Sequence, residues 1–409
     1  MSLVTQAREM ADDLVHLRRA LHQEPEVGLN LPRTQERVLA ALEGLPLEIT
    51  TGTNCTSVTA VLRGHGDSVV LLRADMDALP VQEHTGLDYT SRIDGAMHGC
   101  GHDLHTAMLV GAAHLLAAQR EKLHGNVVFM FQPGEEGWEG ARTMIDEGVL
   151  DAAGRRPDAT YALHVFSTLG PAGTFFSRPG VALAASATLR VTVRGEGGHG
   201  STPHLAKDPV PVLAEMVTAL QTAVTRQFDV FDPVVLTIGV LRAGTRSNII
   251  PATATFEATI RTFSVESSRR IRDVALRLVS GIADAHGVDV DADYAEGRPP
   301  TVNDPDETAL AREVITETLG ENRYAPLANP FTGAEDFARV LEEVPGCFIA
   351  LGALPPGADP DKAAYNHSPQ AVFDDSVLPD GAALYAELAR RRLNVNSGAT
   401  SGATTQKGR

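Results

Sequence analysis

Apolar and polar residues alternate along the chain with two periods, which predict its secondary structure. Between about residues 58 and 180, short apolar runs typical of buried strands are separated by segments with helical spacing. The runs include VTAVLRG, SVVLLRAD, NVVFMFQP and ATYALHVF, and the longest helical segment is HTAMLVGAAHLLAAQREKL. Strands that are apolar on both faces and separated by helices predict an α/β fold, with a mostly parallel sheet and helices on both of its faces.

The pattern changes between Ser186 and Tyr294. Strands there alternate apolar with polar residues, and the order β-α-β-β-α-β predicts an inserted ferredoxin-like α+β domain. Two further helices, the strand CFIALGAL and a closing helix return the chain to the first domain. We therefore predict a first domain from residues 1–185 and 295–393, an inserted domain from 186–294, and a disordered Ser/Gly/Thr-rich tail from 394–409.

Composition and charge narrow the classes of function. Acidic residues outnumber basic ones, 52 against 35, and no Lys/Arg-rich stretch occurs, so we expect no nucleic-acid partner. No run of about 18 apolar residues is present, and acids interrupt the N-terminal segment where a signal peptide is apolar, so we expect neither a membrane span nor export. Cys55, Cys100 and Cys347 are too few and too dispersed for a disulfide framework, which favours a cytoplasmic location.

Residues 98–105, HGCGHDLH, concentrate metal-binding side chains in a glycine-rich stretch. Cys100 and His102 are two residues apart, so both can point the same way, and thiolate with imidazole is a pair that zinc and related metals prefer. A glycine loop that leads into the next helix accounts for the same residues without metal. The chain lacks a second nearby cysteine for a closed structural zinc site, so the metal alternative is an open catalytic site. His98 and His105 are expected to support such a site at most.

Two adjacent acids, Glu135 and Glu136, follow the strand NVVFMFQP. Neighbouring carboxylates raise each other's pKa, and a bound cation would relieve that repulsion. One carboxylate could then bind metal while the other acts as a general base. The alternative is a pair of solvated acids that opens a surface helix.

Histidines at two other positions extend this set. His164 ends the apolar strand ATYALHV, and His367 lies in the loop segment NHSPQ; taken singly, His164 is explained as a core residue. Because the carboxyl ends of parallel strands lie side by side, Asp75, Cys100, Glu136 and His164 are expected to meet at one edge of the sheet. The convergence predicts a catalytic metal site there.

Nine ordered motifs resemble the amidohydrolase branch of the dinuclear-metal aminoacylase and carboxypeptidase superfamily, which includes hippurate hydrolases, auxin-conjugate hydrolases and N-acetyldiaminopimelate deacetylases. They are LHQEPEVG, LRADMDALPVQE, GAMHGCGHDLHTAMLVGAA, FQPGEEGWEGA, LHVF, GEGGHGSTPH, RSNIIP, GAEDFA and NHSP. The resemblance covers the chain to about residue 393. It implies that the first domain is a zinc-peptidase-like catalytic domain and that the inserted domain serves as a lid and in dimerisation.

The resemblance also implies roles for single residues. Two divalent ions (zinc, manganese, cobalt or nickel) would be bound by a bridging Cys100 with His102, Glu136, His164 and His367. Glu135 would be the general base, and Asp77, with Asp75 as the alternative, would support the ligands. His199 of the inserted domain would donate to the oxyanion in the partner subunit's site, and Asn248 would contact substrate.

The function implied is hydrolysis of N-acyl amino acids, for example acetyl or benzoyl derivatives, to a carboxylate and a free amino acid by a cytoplasmic homodimer. A dipeptidase or carboxypeptidase on the same scaffold is the alternative enzyme. A non-catalytic protein that binds metal or another ligand is the alternative from a different class. Arg261 is either a grip for the substrate carboxylate or an exposed strand residue.

Overall fold

The computed structural model describes residues 1–401. In chain order its strands are β1 Leu47–Thr51, β2 Val58–Leu62, β3 Val69–Asp75, β4 Asn126–Gln132, β5 Ala159–Pro171, β6 Phe175–Ser177, β7 Gly180–Leu183, β8 Ala185–Arg194, β9 Gly198–His199, β10 Val234–Ala243, β11 Ile249–Ile250, β12 Thr253–Thr262, β13 Asp289–Glu296, β14 Thr301–Asn303, β15 Tyr324–Pro326 and β16 Gly346–Leu354. Its α-helices are α1 Leu3–Glu9, α2 Ala11–Gln23, α3 Pro32–Ala41, α4 His102–Ala117, α5 Gly140–Asp146, α6 Pro209–Gln227, α7 Val265–His286, α8 Pro305–Leu319, α9 Ala338–Leu341 and α10 Leu378–Ser401.

The chain forms two compact units. The first contains residues 1–180, 302–328 and those from 339 onward, and the second contains 181–301 and 329–338. The predicted insertion, 186–294, falls inside the second unit, which also takes in short flanking segments.

An eight-stranded sheet forms the centre of the first unit, in the order β1-β2-β4-β3-β5-β16-β6-β15. Strands β4, β3, β5 and β16 are parallel neighbours, while β1 and β2 are antiparallel at one edge. Strands β3 and β4 are buried along their whole length, in agreement with their largely apolar sequences. Helices α4, α5, α8 and α10 pack against strands of this sheet. The predicted mostly parallel α/β architecture is confirmed.

The second unit has the predicted β-α-β-β-α-β order, formed by β8, α6, β10, β12, α7 and β13. These strands make an antiparallel sheet in the order β10-β12-β8-β13. On β8, the buried side chains Leu189, Val191 and Val193 alternate with more exposed ones, and they pack with the apolar faces of α6 and α7. The period-two pattern of the sequence thus corresponds to a sheet with one buried face.

Side-chain caps explain where several helices begin. Asp208 and Asp304 each precede a proline, and each accepts a backbone N–H in the first turn of α6 or α8. Ser264 does the same for α7, whose other end is closed by Gly287 in the left-handed conformation. Asp or Ser before the helix and Gly after it satisfy backbone groups that the helix itself leaves unpaired.

The C-terminal segment differs from its prediction. Helix α10 continues to Ser401, so residues 394–401 are helical where the composition predicts disorder. Leu393 is buried, and helix α10 continues beyond it through the exposed Val395. Residues 402–409 of the predicted tail lie outside the described residues. No helix within residues 1–401 has both the length and the apolar character needed to cross a membrane.

Candidate metal centre

The structure brings the five predicted metal ligands together in the first unit. Donor atoms of Cys100, His102 and His164 lie within 4.8 Å of one another, and so do those of Cys100, Glu136 and His367. Cys100 Sγ is 3.4 Å from His164 Nε2 and 3.2 Å from His367 Nε2. The sulfur therefore belongs to two ligand groups, as a bridging ligand must.

Glycine makes the loop around Cys100 possible. Gly101 has a φ of 83°, in the left-handed region, and a Cβ at this position would lie 2.2 Å from Val165 Cγ2. Helix α4 begins at the next residue, His102, while the Gly99 carbonyl accepts a hydrogen bond of 2.8 Å from the His367 N–H. The segment is thus both a glycine loop that leads into a helix and the place where ligands converge.

His164 is oriented as a metal-binding imidazole. Its Nδ1 lies 2.9 Å from the Val165 carbonyl oxygen, which can only accept, so Nδ1 carries the proton. Burial, reinforced by His105, holds the pKa of His164 well below its usual range, so the ring is neutral. The Nε2 lone pair consequently faces Cys100, an arrangement typical of a histidine ligand fixed by a backbone carbonyl.

The charges around the other histidines indicate a need for cations. Hydrogen bonds to Cys100 and Glu136 raise the pKa of His367 to about 10. Burial opposes protonation of His102, but Asp75, Asp77 and Cys100 together outweigh it and raise the pKa of this imidazole well above its usual value. Neither ring nitrogen of His102 makes a hydrogen bond with a described residue, and the nearest Asp75 oxygen is 3.6 Å from Nε2. Bound cations would take the place of these protons.

The donor spacing also fits a transition metal. For zinc, typical bonds of about 2.3 Å to sulfur and 2.0–2.1 Å to nitrogen in a tetrahedral site separate the two donors by about 3.6 Å. The sulfur-to-nitrogen distances of 3.4 Å and 3.2 Å on the two sides of Cys100 are close to this value. Thiolate, imidazole and carboxylate together suit divalent ions of the zinc, manganese, cobalt and nickel group. The residues present therefore fit divalent metals.

Asp77 holds the adjacent acids in place. Its Oδ1 accepts the Glu135 N–H at 2.9 Å, and its Oδ2 accepts the Glu136 N–H at 3.0 Å. Glu135 is only 5% exposed, and a carboxylate oxygen from each glutamate lies within 4.8 Å of a His102 ring nitrogen. Because Glu135 is buried and the Asp77 carboxylate accepts the backbone N–H groups of both glutamates, the pair is not a solvated surface feature.

His105 has a larger structural role than its sequence position indicates. The Val165 N–H donates to its Nε2 at 2.7 Å, so the proton of this imidazole is on Nδ1, which lies 2.5 Å from Asp75 Oδ1. Burial would raise the pKa of Asp75, but Arg73 and the neighbouring histidines hold it well below its usual range. His105 thus connects the ionised Asp75 to the backbone beside His164. In the sequence, the only indication of this role is that His105 lies three residues after His102, on the same face of α4.

A buried charge cluster fixes the first turn of α4. Asp103, which follows the ligand His102, lies 2.9 Å from Arg18 Nε and 2.7 Å from His22 Nδ1. Burial would raise the pKa of Asp103, but Arg18 and His22 lower it well below its usual range. The sequence motif LHQEPEVG supplies His22, but nothing in the linear pattern indicates that α2 lies beside this ligand loop.

The second unit brings together the two predicted substrate contacts. His199 in β9 is opposite Ile249 in β11, and the Gly200 N–H donates to the Asn248 carbonyl at 2.9 Å. Both His199 and Asn248 are exposed. The Ser201 N–H donates to His199 Nδ1 at 3.1 Å, so the ring proton is on Nε2. His199 therefore presents an N–H donor.

Arg261, also in the second unit, is partly buried. Its guanidinium donates to the Ile260 carbonyl at 3.1 Å. Burial and the neighbouring Arg298 lower its pKa. It is therefore not a freely solvated strand residue.

Comparisons with known proteins agree with this architecture. A match to Peptidase family M20/M25/M40 covers residues 71–391. The chain is 35% identical over 398 residues to thermostable carboxypeptidase 1 of Saccharolobus solfataricus, across 96% of this chain and 98% of the relative. It is 37% identical over 348 residues to N-acetyldiaminopimelate deacetylase of Shouchella clausii, across 84% of this chain and 91% of the relative.

Solved structures show the same fold. The Bacillus subtilis YXEP protein, a dinuclear metal binding peptidase from the M20 family, superposes with a TM-score of 0.81 at 30% identity, covering 95% of this chain and 99% of that one. Together with the ligand groups around Cys100, this supports divalent metal binding by a hydrolase. The chain belongs to peptidase family M20/M25/M40.

Proposed function

We propose that the chain is a metal-dependent amidohydrolase that cleaves N-acyl amino acids, such as acetyl or benzoyl derivatives, to a carboxylate and a free amino acid. The observation that carries this proposal is Glu135, a buried carboxylate beside the ligand groups with its backbone anchored by Asp77. A protein that only bound metal would have no use for such a base. Similarity to N-acetyldiaminopimelate deacetylase supports the acyl class of substrate.

The proposed site holds two divalent ions, zinc, manganese, cobalt or nickel, through Cys100, His102, Glu136, His164 and His367. When bound, these ions supply Lewis acidity to the scissile carbonyl and lower the pKa of the attacking water. Glu135 takes the proton from that water and delivers it to the departing amine. Asp77 keeps Glu135 oriented throughout, and no covalent intermediate is required.

The proposed working form is a cytoplasmic homodimer. His199, with its proton on Nε2, is suited to donate to the oxyanion that forms during attack, and we assign it to the site of the partner subunit. Asn248 lies beside it and is assigned to substrate contact. A reducing compartment would keep Cys100 available as a thiolate ligand.

The test is hydrolysis of a panel of N-acetyl and N-benzoyl amino acids by protein loaded with each of the four metals. We expect Glu135→Gln to lower kcat on the order of 10²–10⁴-fold with unchanged metal content, because it removes the base and keeps the shape. Glu139→Gln, in the same loop but partly exposed and paired with Arg339, is the matched control and should stay close to wild type. Full activity in Glu135→Gln would show that the base is assigned wrongly.

A carboxypeptidase is the second candidate, because thermostable carboxypeptidase 1 matches nearly the whole chain. Comparing kcat/KM for dipeptides with kcat/KM for N-acyl amino acids on the same metal-loaded protein separates the two activities. Elemental analysis without bound transition metal, together with no turnover after metal addition, would instead favour the non-catalytic role.

A further inference from the structure

Asn366, which precedes the ligand His367, is only 8% exposed and contacts two other segments of the site. Its Oδ1 lies 3.0 Å from the Ser167 backbone nitrogen, and its Nδ2 lies 3.0 Å from the Val165 carbonyl oxygen. The Ser167 hydroxyl in turn donates to the Ala364 carbonyl at 2.8 Å. The loop that carries His367 is therefore fastened to β5 immediately after His164.

These partners fix the orientation of the amide. A backbone N–H can only donate, so the atom that faces Ser167 is the carbonyl oxygen, and the nitrogen faces Val165 and Cys100. One of the two Nδ2 hydrogens is used by the Val165 carbonyl. The nitrogen also lies 3.8 Å from Cys100 Sγ and 3.5 Å from the Cys100 carbonyl oxygen. The second hydrogen is therefore directed at Cys100.

An N–H directed at a thiolate changes its properties as a ligand. It withdraws negative charge from the sulfur and favours one direction of approach, as partners of metal ligands do generally. Cys100 Sγ already lies between His164 and His367, so a small rotation of its side chain would favour one ligand group over the other. A fixed donor from Asn366 opposes that rotation.

Asn366 also stabilises a costly backbone conformation. His367 has a φ of 72°, in the left-handed region that residues with a Cβ rarely adopt. Such a conformation is strained and persists only where surrounding contacts enforce it. The bonds of Asn366 to β5 and of the His367 N–H to Gly99 supply these contacts.

We propose that Asn366 is a positioning residue that holds the Cys100 thiolate between the two metal positions and seats His367. This inference rests on the proposed dinuclear site. It predicts that loss of the Asn366 N–H weakens the ion bound by His367 and alters the electronic state of the sulfur, in addition to any effect on turnover.

The test compares Asn366→Leu, which keeps the approximate size, and Asn366→Asp, which keeps the shape, with wild type. Affinity for each of two metals is measured by competition with a chelator, and the thiolate-to-Co(II) charge-transfer band is recorded in the near ultraviolet. We expect the second metal to bind about 10–100-fold more weakly, with the first less affected. The band should shift to lower energy, because sulfur regains the charge that the N–H withdrew.

Asn303→Leu is the matched control. Asn303 is also buried and fully bonded, since it donates to the Arg178 and Phe348 carbonyls and accepts from the Phe348 N–H, but its partners are not metal ligands. It should lower stability without moving the band or the metal affinities. Wild-type affinities and an unshifted band in a folded Asn366 variant would overturn the role of Asn366. Absence of any thiolate band in wild type would instead refute the metal site on which the inference rests.

Discussion

Replacing Asp77 with asparagine changes one functional group and disturbs two neighbouring residues. In the wild type each carboxylate oxygen of Asp77 accepts one backbone N–H, from Glu135 at 2.9 Å and from Glu136 at 3.0 Å. Asparagine offers only one acceptor oxygen, so its NH₂ group must face one of these N–H donors. Rotating the amide changes which of the two glutamates loses its acceptor, but it does not remove the conflict.

The size of the effect follows from these two bonds. A hydrogen bond to a charged group contributes about 1.5–3 kcal/mol, and the bond that survives falls to the neutral range of about 0.5–1.5 kcal/mol. The combined loss is about 3 kcal/mol. If it appears in the alignment of Glu135, kcat/KM falls about 10²-fold, since about 1.4 kcal/mol corresponds to each tenfold change.

The assay is kcat/KM for the best N-acyl amino acid, measured with metal content and thermal unfolding on the same samples. Asp94→Asn, an exposed aspartate on the surface, controls for the loss of one negative charge and should behave as wild type. The reasoning is refuted if Asp77→Asn binds two metals and retains kcat/KM within threefold of wild type.

Two further predictions concern stability and assembly. Arg18→Leu should lower the free energy of unfolding, measured by urea denaturation, by about 3–5 kcal/mol, because the buried Asp103 loses the Arg18 guanidinium. The control is the exposed ion pair of Arg142 with Asp146, where Arg142→Leu should cost less than about 1 kcal/mol. Co-expression of Glu135→Gln and His199→Ala chains should restore roughly a quarter of wild-type activity. About half of the randomly paired dimers are hybrids, and each hybrid has one intact site of two. No recovery in purified hybrids would contradict the assignment of His199 to the partner's site.

The sequence predicts the parts of this molecule that have a local signal. Fully apolar runs predict buried parallel strands, and strict alternation predicts a sheet with one buried face, because each pattern reflects which faces are covered. The convergence of Cys100, Glu136 and His164 follows from the same argument, since the ends of parallel strands are neighbours. The structure brings these side chains together.

The remaining contacts have no local signal. Asn366 reaches Cys100 across 266 positions, and Arg18 reaches Asp103 only because α2 packs beside α4. Short strands such as β6 and β15 are three residues long, too short to show a period. The helical course of residues 394–401 follows from the continuation of α10 rather than from their own composition. Tertiary packing decides all of these, and it is not visible in a linear pattern.

Val165 takes part in the metal centre through its main chain. The Val165 N–H donates to His105, and its carbonyl accepts from both His164 and Asn366. Alanine scanning leaves these backbone atoms in place and would therefore miss the hydrogen bonds that position 165 makes in the site. Only an exchange of the backbone amide, for example for an ester, would reveal the contribution. Surveys based on side-chain substitution will therefore underestimate how much of this centre is built from the peptide backbone itself.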